Sequence, residues 1–153
     1  MSTALKSAGF FRRLAAILYD SLLLVAVLFA ATALALPINH GEAFASDNLY
    51  YPAYLIFVSF LFYGWFWTHG GQTLGLRAWK LKVLTFEQRP LSWTQAALRF
   101  STALFSWMFF GLGFLWILLD KNNRGWHDHL SKTAVYFETK DQHPQKSEPN
   151  KRA

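Results

Sequence analysis

Cysteine is absent from the chain, which excludes disulfides, thiolate metal sites and thiol nucleophiles and leaves the redox compartment undetermined. Acids are scarce: 9 Asp and Glu stand against 15 Lys and Arg in 153 residues. No nucleophile with a nearby base stands out, which argues against an enzyme, and no internal repeat of the kind frequent in transporters is present. A phosphate-cradling loop is missing too. Gly70-Gly71-Gln72-Thr73-Leu74-Gly75 follows no strand pattern, leads to no Gly-Lys-Ser/Thr and has no acidic ribose partner, so its glycines are expected to make a tight turn. His127-Asp128-His129 lacks the cysteines or the helical His spacing of a common metal site, and no metal or cofactor is expected.

What the chain has is apolar residues, 53% of the total, with 18% aromatic and only 16% charged. They gather into three clusters near 20 residues long, which fits a small polytopic membrane protein better than a soluble core. The length is that of one domain. A net charge of +6 raises nucleic acid as a partner, but the basic residues flank the apolar runs, where anionic lipid headgroups are the expected counterpart.

Leu14 to Leu36 is 23 residues with a single charge, Asp20, and at about 1.5 Å per residue it is long enough for a hydrocarbon core of about 30 Å. Its 12 Leu, Ile, Val and Phe contribute roughly 0.3 to 0.6 kcal/mol each to insertion, against roughly 2.5 to 3.5 for one aspartate at the centre. The balance favours a transmembrane helix. A cleaved signal sequence is the rival reading. The run exceeds the usual apolar core of about 7 to 15 residues, carries Asp20 and is followed by further long apolar segments, so retention as an anchor is expected. Arg13 and Asp20 fall on nearly one helical face, but two turns apart. Each should therefore find its partner on another segment or through water. An ionisable group in a span is either a functional site or a fixed internal salt bridge that orients the helix, and the sequence leaves both open.

Lys6, Arg12 and Arg13 place the N-terminus in the cytoplasm by the positive-inside rule. Pro37 closes the span, and the following loop, with Glu42 and Asp47 and no Lys or Arg, belongs outside. A second span is expected from Leu49 to Trp67, with Tyr50, Tyr51 and Tyr54 at one end and Trp65 and Trp67 at the other as interfacial belts. Arg77, Lys80, Lys82 and Arg89 put residues 68 to 95 inside, where Lys80-Leu81-Lys82-Val83 alternates as a short strand. Ser92 and Gln95 form a capping-box pattern that starts a helix near Trp93. It carries Arg99 into a third apolar run, Phe100 to Leu119, which ends at Asp120. A full crossing would strand Lys121, Arg124 and Lys132 outside. A turn at Phe110-Gly111-Leu112-Gly113 would keep every Lys and Arg, and the C-terminus, in the cytoplasm, so a re-entrant helical hairpin is favoured. Irregular backbone at that depth needs protein cover, which predicts a homo-oligomer. Thr133 to Phe137 alternates and is a candidate partner for the strand near Val83. Residues 139 to 153 read as a disordered polar tail after a membrane domain over 1 to 138. The expected fold is thus an all-α membrane protein with two full spans, a third helix or hairpin, and a small cytoplasmic strand-turn element.

Three stretches, GFFRRLAAILYD, GGQTLGLRAWKLKVLTFEQRPLSWTQAALR and DKNNRGWHDHLSKTAVYF, together resemble the RDD family of small bacterial membrane proteins, named for one arginine and two aspartates. The resemblance covers roughly residues 8 to 138. It implies that the family arginine is Arg13, the first aspartate Asp20, and the second Asp128, with Asp120 as the runner-up. It also implies a bacterial inner membrane location and, through some members, sodium/proton antiport. The chain departs from the pattern at Leu76-Arg77, where a Lys-Arg pair often stands, and in its short last membrane segment.

Two functions follow as expectations. In the first, a transporter of ions or small solutes, Asp20 alternates between protonated and ionised states as a cation or proton comes and goes. Arg13 pairs with it, while Arg99, Asp120, Arg124 and Asp128 form the cytoplasmic mouth. In the second, a membrane interaction or assembly protein, the same charges only lock packing.

Overall fold

The computed structural model describes residues 6–45 and 48–138 of the chain. The tail from residue 139 and Asp47 of the acidic loop lie outside the described residues. The fold is mostly helical, with one long apolar helix and a two-stranded sheet.

Helix α1, Phe10–Ala35, continues through a 3-10 turn, Leu36–Asn39, so Pro37 is accommodated before the chain stops at His40 in the left-handed region. Among the described residues, Phe10–Asn39 is the one helix long and apolar enough on its own to cross a membrane. Its Leu18, Leu22, Phe29 and Leu34 face outward, part of the exposed apolar surface that an apolar solvent favours over water. Helix α2, Tyr50–Thr68, carries no charge, and ten of its 19 residues are aromatic. Its upper end is tied to α1 by Thr32 Oγ1 and Tyr51 Oη at 2.7 Å and by Tyr54 Oη donating to the Ala31 carbonyl at 3.2 Å.

Ser92 and Gln95 close the expected capping box: Gln95 N donates to Ser92 Oγ at 3.3 Å and Ser92 N to Gln95 Oε1 at 3.1 Å. Helix α4, Trp93–Met108, follows. Phe110 and Gly111 then take positive φ, and the chain bends by 108° into α5, Leu112–Leu115, and a further turn, Trp116–Leu118. Gly113 lets α5 close on α4, since a Cβ there would come within 2.9 Å of Ser106 Cβ. The break expected at residues 110 to 113 is present.

The segment between α2 and α4 holds more than the expected turn and strand. Gly71, at φ 72, makes the turn; α3, Leu74–Ala78, follows, and then β1, Leu81–Thr85. Near the end of the chain α6, Trp126–Ser131, precedes β2, Thr133–Phe137. The strands pair antiparallel with Val83 opposite Val135, and residues 6 to 8 run along the far edge of β2 through Ala8 N to Val135 O and Phe137 N to Lys6 O. The start of α1, the end of α2, α3, the sheet and the start of α4 therefore meet at one end. The core lies there, around Ala8, Ala16, Trp67, Leu76, Leu81 and Val83.

Candidate functional site

Asp128, wholly buried on α6, is clamped between two guanidinium groups. Arg13 Nη1, from the first turn of α1, donates to Oδ2 at 2.5 Å, and Arg99 Nη1, from α4, donates to Oδ1. The Gly125 backbone N–H also donates to Oδ2, at 3.1 Å, so the same carboxylate closes the first turn of α6. Arg13 spreads its remaining donors over the Ala8 carbonyl at 3.0 Å and Ser7 Oγ at 3.3 Å. Arg99 Nη1 also donates to Thr133 Oγ1 at 2.8 Å, and its guanidinium stacks 5.3 Å from the Trp67 ring. Burial by itself would raise the Asp128 carboxyl; Arg99 and Arg13 outweigh it and hold the group well below the usual carboxylate range. Beside it His127, Nε2 3.5 Å from Asp128, is pushed down to about 3 by burial, then by the two arginines, against the pull of Asp128. At neutral pH it is an uncharged imidazole.

Asp20 is 4% exposed and belongs to a different set of contacts. It accepts the Thr73 hydroxyl and, at 2.8 Å, the Gly75 backbone N–H. It therefore caps the start of α3, with Thr73 Oγ1 in turn accepting Leu76 N at 3.3 Å. A Cβ on Gly75 would fall within 2.8 Å of the Asp20 carboxylate, so glycine sets this close approach of α3 to α1. The pairing of Asp20 with Arg13 used in the transporter expectation does not form, and each finds its partner on another segment, as their spacing predicts. Two helical turns separate them, and Arg13 reaches sideways to α6 while Asp20 turns to α3.

Asp20 and the arginines nevertheless share a space. A cavity of about 350 Å³ lies between α1, α2 and α4, with Arg13, Asp20, Arg99 and His127 along its floor and Leu24, Ile56 and Leu104 among its apolar walls. Asp120 and Arg124 are not part of it. Asp120 accepts Asn122 N and Arg124 N, both at 3.0 Å, and faces His129 at 3.3 Å; Arg124 lies 4.1 Å over the Phe86 ring. The six candidate residues thus divide into a clamp, a helix cap and a surface turn.

A family model described as the RDD family matches residues 7–132. The chain belongs to the RDD family. No curated protein and no solved structure matches it. Family membership together with the long apolar helix makes this RDD protein a membrane protein. The residues that the resemblance assigned to the family's letters have separate tasks here: Arg13 and Asp128 meet each other, and Asp20 holds α3. Sequence reasoning missed Thr73 and Gly75 as the Asp20 partners, and Thr133, Ser7 and His127 around the clamp. The one available signal was Thr73 itself, a favoured cap residue just before Leu74.

Proposed function

We propose that this RDD protein is a multi-pass carrier of the bacterial inner membrane that couples movement of a small solute to a proton or monovalent cation at Asp20. The observation that supports this best is the position of that carboxylate, the only acid of the long apolar helix, buried at the lining of a half-open cavity. A carboxylate there can exchange a bound cation for a proton without facing bulk water. The reading takes α1 and α2 as spans, α4 and α5 as a re-entrant hairpin, and the sheet end as cytoplasmic. The bend of 108° and the pairing of β1 with β2 support that arrangement, because a full third crossing would pull the two strands to opposite faces. Phe110, 94% exposed at the hairpin tip, supports a homo-oligomer in which a neighbouring subunit covers the break; a nanodisc particle heavier than one 17.6 kDa chain is the check.

Asp20→Asn in proteoliposomes tests the mechanism, since asparagine keeps an acceptor for the Gly75 N–H and removes the charge. Loss of cation-dependent proton flux with an unchanged melting temperature is the expected result. An unimpaired variant would remove Asp20 from the mechanism. Wild-type protein that moves no ion would favour the second reading, an assembly protein, which has its own support: Asp20 and Asp128 are both fully engaged in joining elements.

A further inference from the structure

Arg99 is only half used. Its side chain is buried, 4% exposed overall, and it borders the cavity. Nη1 serves Asp128 and Thr133, yet Nε is a buried donor without a partner, and Nη2 makes no hydrogen bond among the described residues. Nε and Nη2 form the side edge of the guanidinium, the fork that matches the two oxygens of a carboxylate. A buried donor left unmade costs about 1 to 3 kcal/mol, so Arg99, at the border of the cavity, is short of an acceptor. The two carboxylates nearby are already committed: Asp128 is held by the arginines through other atoms, and Asp20 is engaged by Thr73 and Gly75.

The rest of the cavity is mostly apolar, with Ser21, Ser59 and Tyr63 as its other polar side chains, and it adjoins a second space. A groove of about 480 Å³ on the outer side of α2 and α4, lined by Ala53, Phe57, Ala97 and Phe105 among others, shares Ile56, Phe100 and Leu104 with it. Those three side chains are the partition between the cavity and the surface that the reading above assigns to lipid. An occupant thus meets the Arg99 guanidinium, aliphatic and aromatic walls, and a side approach from the bilayer. At about 350 Å³ the chamber is near the lower end of small-molecule sites, roughly 300 to 1,000 Å³.

We infer that the solute is a single-chain carboxylate amphiphile, its head on the free edge of Arg99 and its chain between Leu24, Ile56 and Leu104, entering between α2 and α4. This rests on reading the cavity as the solute site. It is independent of Asp20 as a coupling group, because binding is measured without flux. The test uses the full chain in phosphatidylcholine nanodiscs at mildly alkaline pH. The probe is a terminally brominated medium-chain carboxylate, whose bromine quenches nearby tryptophans; Trp67 and Trp107 line the chamber. Saturable quenching is expected, with the matching bromo-alcohol weaker by about tenfold or more. Ala103→Phe fills the chamber without touching a charge and should abolish the saturable part. Arg99→Lys keeps the charge for Asp128 but has no fork, and should weaken the acid about fivefold or more and the alcohol little. Equal affinity for acid and alcohol, or unchanged quenching in Ala103→Phe, would overturn the inference. If Arg99→Lys fails to fold, the other two comparisons decide it. Binding without flux would sink the carrier reading alone.

Discussion

At the scale of single residues, Asp128 joins three elements through one carboxylate. Two arginines from α1 and α4 and a backbone N–H of its own helix converge on one buried carboxylate, so its removal leaves two buried cations without a counter-charge. Breaking such a pair from one side costs about 3 to 5 kcal/mol. Asp128→Asn is therefore expected to lose that much, read from thermal unfolding in detergent micelles. His127 adds a pH signature of definite sign. Its folded pKa, about 3, lies below the ordinary 6.5, so the unfolded chain binds the extra proton; stability is complete above 6.5 and declines as pH falls towards 3. The decline can reach about 1.4 kcal/mol per pH unit, and the depressed Asp128 steepens it further below about 4. His127→Gln should flatten the melting curve between 6.5 and 4. A variant that keeps the wild-type slope there would place the titrating group elsewhere.

At the scale of elements, what could be read ahead of the structure was what has a period or a local code. The long helix announced itself by unbroken apolarity, β1 and β2 by alternation, and the start of α4 by Ser92 with Gln95, because each signal lies within a few neighbouring residues. Helices α3 and α6, of five and six residues, are too short to show a period. Such helices are unstable alone and stand here through partners distant in sequence: Asp20, 55 residues before Gly75, caps α3, and Arg13, 115 residues before Asp128, holds α6. The candidate site divided the same way. Arg13 and Asp20 were visible as charges in an apolar setting, whereas their true partners were not, since a shared helical face says nothing of which segment packs against it.

At the scale of the whole molecule, the sheet makes the arrangement testable. Residues 6 to 8, β1 and β2 are hydrogen-bonded together, so the loop at Gln88 and the segment near Lys121 belong to one end, while His40 lies beyond the far end of α1. The absence of cysteine makes single-cysteine variants simple to interpret. With a membrane-impermeant maleimide, Gln88→Cys and Lys121→Cys should label from the same side and His40→Cys from the other. Labelling of Lys121→Cys together with His40→Cys would require a third full crossing.

The amino-acid order by itself determined that a long apolar helix with basic residues at its mouth would form, that a third apolar run carries a candidate turn near Gly111, and that two short alternating segments were available to pair. Apolarity, charge placement and turn residues act over a few positions and need no fold to be expressed. Tertiary structure alone decided that Asp128 receives Arg13, that Asp20 caps α3, and that Arg99 borders a cavity with a buried donor left without a partner. Those outcomes depend on which groups lie within about 3 Å once distant segments pack, and hydrogen bonding at that range is settled by three-dimensional proximity.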